Sequence, residues 1–136
     1  MNKISFIILL SAVLFLNCST KPSTKAPQRA TTQIEWVTDT EHDFGNVNVK
    51  DTMRHDFVFK NIGKIAFVID SIIPSCGCTR ANYIKRPVLP GKTDTIHVTY
   101  DGNGFLPGSF IKTCDIYSNT DTVYQLRIHG YYYEEE

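Results

Sequence analysis

Apolar and polar residues alternate along much of this 136-residue chain, and this period of two constrains the fold more than any other feature. Between Met53 and Lys60, one side of the pattern carries His55, Phe57 and Phe59, and the other carries charged residues (Arg54, Asp56, Lys60). Such alternation is typical of a β-strand with one buried face. After residue 33, no stretch has apolar residues at the spacing of an amphipathic helix. The sequence therefore predicts an all-β domain.

Further strands are predicted where β-branched and aromatic residues cluster between glycines and prolines. They cover residues 34–38, 65–73, 93–100, 110–118 and 122–131, of which the last two form a hairpin. The nearly continuous apolar run over 65–73 predicts a central strand. Residues 86–92 and 101–108 are predicted loops, since they are rich in proline or glycine. This pattern predicts an immunoglobulin-like antiparallel β-sandwich of about seven strands over residues 34–131.

The N-terminal segment has the features of an export signal. Lys3 precedes a mostly apolar run over residues 4–16, which stops at Asn17 and Cys18. A basic start followed by about a dozen apolar residues is typical of a secretory signal and is too short to span a bilayer. A cysteine at the stop predicts a lipoprotein-type signal peptide over residues 1–17. Acyl chains such as palmitate on Cys18 would then anchor the protein to a membrane.

Residues 18–33 contain no large apolar side chain beyond the cysteine. Because such a segment cannot bury enough surface to offset its ordering entropy, we predict a disordered tether after the lipidated Cys18. The protein is thus expected to be exported and membrane-anchored. It is expected to face the periplasm rather than the cell surface, because residues 19–22 carry no acidic side chain. Residues 132–136 are expected to fray as an acidic tail.

Charge and motifs exclude several functions. The 14 Lys and Arg residues balance 14 Asp and Glu residues, so the chain lacks the basic surface of a nucleic-acid-binding protein. The Gly91-Lys92-Thr93 segment lacks the upstream glycine of a phosphate-binding loop, and a strand rather than a helix is predicted after it. The four histidines are scattered and suggest no catalytic grouping. We predict no catalytic residues, no cofactor and no metal, with envelope proteins or glycans as partners.

Five short motifs occur in order through the predicted domain. They are DFGNV at 43–47, FVFKNIG at 57–63, PSCGCT at 74–79, LPGK at 89–92 and VTYD at 98–101. From Asp43 to Gly130 the chain resembles the bacterial family called domain of unknown function 1573, and the Cys-Gly-Cys-Thr element is the most specific part of the likeness. The resemblance implies an immunoglobulin-like sandwich, distantly similar to chaperone-type and ciliary modules, that is exported and often lipid-anchored. The family has no established activity, so the resemblance implies no chemistry.

Three cysteines lie in the predicted domain: Cys76, Cys78 and Cys114. An odd number leaves at least one unpaired within the chain, although an oxidising compartment favours a disulfide. Loop-closure entropy gives about 1.6 kcal/mol for joining Cys76 to Cys78 and about 4 kcal/mol for joining either to Cys114. The energetics therefore favour the longer loop. The strand pattern nevertheless points Cys114 into the core, where it would act as a small buried hydrophobe.

The Cys76-Gly77-Cys78 element leaves three roles open. It is structural if it forms a disulfide or a packed turn, and redox-active if a strained pair is readily reduced. It would bind metal only with further ligands, because a closed zinc site needs four and no histidine lies close in sequence. Arg80 follows the pair and is placed to stabilise a thiolate at Cys78.

The preferred hypothesis is a lipid-anchored envelope domain with a non-catalytic binding or scaffolding role. The alternative is a thiol-redox or metal-binding periplasmic protein that uses the Cys76-Gly77-Cys78 element. Sandwiches of this kind bind through loops or edge strands. The candidate binding loops are residues 75–83 and 101–108, with contact residues Ser75, Gly77, Thr79 and Arg80 in the first and Gly102, Asn103 and Phe105 in the second.

Overall fold

The structure is a computed structural model that describes residues 29–48, 50–103 and 105–133. The predicted signal peptide, Cys18, most of the predicted tether and residues 134–136 lie outside the described residues. Eight strands follow one another: β1 (Ile34–Trp36), β2 (Glu41–Asn48), β3 (Thr52–Asn61), β4 (Ile69–Pro74), β5 (Thr79–Asn82), β6 (Thr93–Asp101), β7 (Gly108–Ser118) and β8 (Tyr124–Tyr133). Within the described ranges, no helix has the length and hydropathy needed to cross a membrane.

The strands form two four-stranded sheets packed face to face. The first sheet has the order β1-β3-β6-β5, and all its pairs are antiparallel. The second has the order β2-β8-β7-β4. Its β2 runs parallel to β8, because the chain changes sheets after β1 and enters beside β8 in the same direction. The predicted all-β sandwich is confirmed, with eight strands rather than about seven and one parallel pair rather than a wholly antiparallel arrangement.

The core lies between the sheets and is built from the inward positions of both. Phe57 and Phe59 of β3 are 0% and 1% exposed, and Ile116 of β7 and Leu126 of β8 meet them from the second sheet at 0% and 1%. Burying a side chain of this size stabilises the fold by about 1.5–3 kcal/mol. The alternation that predicted β3 is therefore the signature of one face packed against another sheet.

The prediction of a central strand over residues 65–73 is wrong. Strand β4 begins only at Ile69 and lies at the edge of the second sheet. Before it, Phe67 forms an isolated bridge with Val88 of the proline-rich segment, and its side chain is 1% exposed. Ile65 and Ile73 are exposed. The apolar run is continuous in sequence, but it does not form one buried strand. Phe67 packs in the core and pairs with the 86–92 loop, the residues from Ile69 onward form an edge strand, and Ile65 and Ile73 are on the surface.

Two strands, β2 and β5, were not predicted, and β5 occupies part of the predicted 75–83 loop. The folded region also extends beyond the predicted limits of 34–131. Thr32 is 5% exposed, and its hydroxyl lies 3.1 Å from the carbonyl oxygen of Ile65. At the other end, Tyr132 is 2% exposed because its ring packs on Phe110, with 4.7 Å between the ring centroids. The residues predicted to fray from 132 therefore include the end of β8.

A buried asparagine joins three separate segments at one end of the sandwich. Asn61, the last residue of β3, is 0% exposed. Its amide nitrogen donates to the carbonyl oxygens of Ile65 and Val88, each at 2.8 Å. Its amide oxygen accepts from the backbone N–H of Gly63 at 3.0 Å and from the Thr32 hydroxyl at 3.1 Å. All four hydrogen-bonding positions of the side chain are thus used.

Candidate functional site

Cys76 and Cys78 are joined by a disulfide in the turn between β4 and β5, with their Cα atoms 5.3 Å apart. The longer loop to Cys114, which the entropy calculation favoured, is not formed. That calculation concerns the unfolded chain, whereas a bond forms only between sulfurs that the native fold brings within reach. The disulfide fixes the turn that leads into β5.

Cys114 is a free thiol in the core, and its side chain is 1% exposed on the inner face of β7. Burial, with a smaller contribution from the charge of Asp115, raises the pKa of Cys114 to about 11. A thiol with such a pKa is protonated at neutral pH, and the thiolate is the reactive form. Cys114 therefore packs as a hydrophobe.

Two arginines flank a threonine across three neighbouring strands of the first sheet. Arg54 of β3 lies opposite Thr99 of β6, and Thr99 lies opposite Arg80 of β5. We call these three residues the arginine row. Since neighbouring strands are about 4.8 Å apart, the two arginine Cα atoms are about 10 Å apart. Both arginines are exposed on the outer face, and neither forms an ion pair with a carboxylate in the described part of the chain.

A groove extends along the outer face on both sides of the arginine row, and we call it the arginine groove. Toward the disulfide it has a cavity volume of about 390 Å³, and its further lining is Thr52, Gly77, Cys78, Asp101, Asn103 and Phe105. Toward the opposite end the cavity volume is about 870 Å³, with further lining from His55, Asp56, Asn82 and His97. The two parts share all three residues of the row, so they form one continuous surface.

The disulfide end of the groove joins the two predicted binding loops. The backbone N–H of Asp101 donates to the carbonyl oxygen of Cys78 at 3.0 Å, which holds the turn beside the end of β6. The Asp101 carboxylate accepts from the backbone N–H of Asn103 at 3.0 Å. The Phe105 ring is 46% exposed and lies 5.4 Å from the ammonium of Lys112. This cation–π contact positions an accessible aromatic ring at the groove.

The other end of the groove carries an ion pair. Nδ1 of His97 lies 2.6 Å from a carboxylate oxygen of Asp56 on the facing strand. A carboxylate that orients an imidazole is one part of a hydrolase triad, which also needs a nucleophile bonded to the other ring nitrogen. In the described ranges, no hydroxyl or thiol hydrogen-bonds to the His97 ring. The pair therefore has an orienting contact without a nucleophile.

The structure brings together four of the predicted contact residues and separates three. Gly77, Arg80, Asn103 and Phe105 line the groove. Ser75 instead continues the pairing with β7, since it exchanges hydrogen bonds with the backbone of Thr113. Thr79 is 2% exposed and points inward, with its hydroxyl 3.2 Å from the sulfur of Cys76. Gly102 is buried against Tyr132. Thr79 and Gly102 are therefore buried structural positions, whereas Ser75 is exposed just after β4 and lies outside the groove lining.

Sequence reasoning missed Arg54 and Thr99 as members of the groove. The alternation of β3 had already placed Arg54 on the polar side of that strand. It could not show that Arg80 lies in register with it, because β5 was predicted as loop.

The metal-binding alternative finds no site in residues 29–48, 50–103 and 105–133, where no three His, Cys, Asp or Glu side chains are grouped to hold an ion.

Two stacked imidazoles connect the sheets at the end of the groove opposite the disulfide, where His55 is also part of the lining. His42 of β2 and His55 of β3 have ring centroids 3.6 Å apart and planes 13° apart. Phe44 and Phe57 contact the pair edge-on. Burial, and then the charge of His42, lowers the pKa of His55, while Asp56 opposes this shift. The stack therefore favours a neutral His55.

Comparison with known proteins places this geometry in context. A family model described as "Protein of unknown function (DUF1573)" matches residues 34–132. No curated protein is similar enough to the chain to be matched with it. The fold is similar to a protein of unknown function from Porphyromonas gingivalis W83, with a TM-score of 0.63 and 14% identity over 81% of this chain and 51% of that chain. The chain thus spans about half the length of that protein.

Two further structures are similar. The ASH/PapD-like domain 7 of human CEP192 has a TM-score of 0.60 and 15% identity over 85% of this chain and 94% of that domain. The YadV chaperone has a TM-score of 0.51 and 14% identity over 76% of this chain and 52% of the chaperone. At these identities the likeness shows the fold alone, and it confirms the predicted immunoglobulin-like β-sandwich.

Proposed function

The chain belongs to the DUF1573 family of proteins of unknown function, and on that premise we propose that it is an exported, lipid-anchored domain that binds another envelope component through the arginine groove. One observation carries the binding role: the disulfide turn and the 101–105 loop, far apart in sequence, meet in one groove with two arginines that have no described acidic partner. Loops held by a rigid sheet are where sandwiches commonly place their contacts.

The groove favours binding over catalysis. Its polar side chains are spread along the outer face of three strands, and its one histidine–carboxylate pair lacks a bonded nucleophile within the described ranges. Both arginines of the groove are exposed on the outer face of the first sheet. Such a surface suits a partner that lies across it rather than a small substrate enclosed by it.

Site-specific photo-crosslinking in intact cells tests the binding role. A photoreactive residue at Asn103 is expected to give a discrete crosslinked product, and one at Thr113, on the outer face of the second sheet, is expected to give none. The product must also decrease when Arg54 and Arg80 are changed to Gln in the same chain, which separates contact through the groove from random collision. Equal products from both positions would contradict the proposal.

The lipid anchor is supported by the basic start at Lys3, the apolar run over 4–16 and the cysteine at its end. Intact-mass measurement of the protein extracted from membranes is expected to show cleavage before Cys18 and the added mass of acyl chains. A Cys18→Ser variant is expected to leave the membrane fraction. An unmodified chain in the cytosolic fraction would refute both the anchor and the export.

A second function, thiol–disulfide exchange, is favoured by the position of the disulfide in the groove beside Arg80. A partner dithiol would pass two electrons and two protons to Cys76–Cys78 through a mixed disulfide, so that the partner becomes a disulfide and Cys76 and Cys78 become two thiols. The Cys76→Ser/Cys78→Ser double variant distinguishes the roles. On the binding role it loses about 1.6 kcal/mol of stability and retains the Asn103 crosslink, whereas on the exchange role it accumulates a reduced partner in cells.

A further inference from the structure

The arginine row places two positively charged side chains along one groove. Arg54 and Arg80 lie on either side of Thr99 on the outer face, and strand spacing puts their Cα atoms about 10 Å apart. Two guanidinium groups at the ends of long side chains can both reach a group placed over Thr99. Guanidinium matches the planar, two-oxygen geometry of a carboxylate through paired hydrogen bonds.

The acidic residues that flank the row are engaged elsewhere. Asp56 in the next row lies 2.6 Å from the ring of His97. Asp101, on the disulfide side, accepts the backbone N–H of Asn103 at 3.0 Å. Neither arginine forms an ion pair with either aspartate, both arginines line the groove, and the row itself contains no acid. The row thus carries two positive charges, and the two aspartates that line the groove lie on either side of it.

The remaining lining restricts the partner further. It consists of hydroxyl, amide, imidazole and carboxylate groups, with Phe105 as its exposed aromatic ring. A protein–protein contact of useful affinity generally needs several buried aromatic or aliphatic anchors, and no cluster of that kind lines the described groove. Closely spaced donors and acceptors beside one flat ring instead suit a hydroxyl-rich chain whose rings can stack on Phe105.

We infer that the arginine groove binds an acidic oligosaccharide, with a sugar carboxylate held between Arg54 and Arg80 over Thr99 and a neighbouring sugar ring against Phe105. This inference rests on the proposed function, because it names the chemical class of the partner for the same groove. The anchoring group is the carboxylate, and charge complementarity with the arginine row selects it over a neutral glycan.

The test uses a galacturonic acid hexamer as the probe and its fully methyl-esterified form as the matched neutral control, with the purified full-length protein. Titration calorimetry is expected to detect binding of the acid form and at least tenfold weaker binding of the ester. Arg54→Gln and Arg80→Gln are each expected to weaken binding at least tenfold, which is about 1.4 kcal/mol, because each removes hydrogen bonds to a charged group. Lys60→Gln, which removes a charge from the same face of β3 three outward positions away, is expected to change affinity less than twofold.

Several results would overturn the inference. They are equal affinity for the acid and its ester, unchanged affinity in either arginine variant, or inorganic phosphate binding as tightly as the hexamer. If the Asn103 crosslink is found but the acid hexamer does not bind, the partner is not an acidic glycan and the proposed function stands. If the hexamer binds and loses affinity in both arginine variants, the inference is supported independently of the crosslink.

Discussion

Replacing Asn61 by alanine is expected to cost the domain a large part of its stability. The side chain is fully buried and makes four hydrogen bonds, two donated and two accepted. A hydrogen bond typically contributes about 1 kcal/mol, and a buried group left without a partner costs about as much or more. The variant should therefore lose about 4 kcal/mol, out of a total of about 5–15 kcal/mol for a domain of this size. Its melting temperature should fall by about 15–30 °C.

Urea denaturation followed by tryptophan fluorescence measures this loss. Trp36 is the only tryptophan in the chain, and it packs edge-on against Phe59 and Tyr124, so its emission reports the sandwich. Asn82→Ala, at an exposed position of β5, is the matched control and should change stability by less than about 0.5 kcal/mol. A loss below about 1 kcal/mol for Asn61→Ala would refute the view that this amide holds three segments together.

Two further changes probe the core and the histidine stack. Gly102→Ala should destabilise the domain by about 1–3 kcal/mol, because the new Cβ would overlap the hydroxyl and ring of Tyr132. Gly77→Ala is the control and should be nearly neutral, because a Cβ there meets no atom within 4 Å. Equal losses of stability in the two variants, measured by urea denaturation, would contradict this packing. Burial and the charge of His42 lower the pKa of His55 below 6.5 in the folded state, so the unfolded chain binds the proton more readily. The contribution of His55 to stability should therefore be fully present above about pH 6.5 and should decrease as the pH falls below that value. Urea titrations across that range should show a smaller fall in His55→Phe than in the wild type, and an identical fall in both would exclude the stack as its cause.

The central strands, in which apolar and polar residues alternate, could be predicted from the sequence, whereas the edge strand β2 could not. Strands β3 and β6 lie in the middle of the first sheet, so their inward residues are mostly apolar, with His55 and Asn61 of β3 as polar exceptions, and their period is clear. Strand β2 lies at an edge and carries few apolar residues among its eight, with Gly45 at a positive φ of 64° near a shift in its pairing with β8. Strand β2 is held in the sheet by its pairing with β8, and its own sequence pattern does not indicate a strand.

The candidate site was predicted in part for a related reason. Cysteine, glycine and asparagine in the loops 75–83 and 101–108 indicated the disulfide end of the groove. The four residues of β5 are too few to show a period, so the register that puts Arg80 opposite Thr99 was invisible. The pairing of Cys76 with Cys78 likewise depends on distances in the folded state. The loop-closure entropy of an unfolded chain carries no information about those distances.

The central claim is that the outer face of the first sheet at the arginine row is the contact surface of this protein. Amide chemical-shift mapping of the isotope-labelled full-length protein, titrated with solubilised envelope material, tests it most directly. The account predicts shifts concentrated at Arg54, Arg80, Thr99 and Asn103, which disappear in the Arg54→Gln/Arg80→Gln variant. Shifts confined to the outer face of β7 and β8, around Ile111 and Arg127, would contradict it.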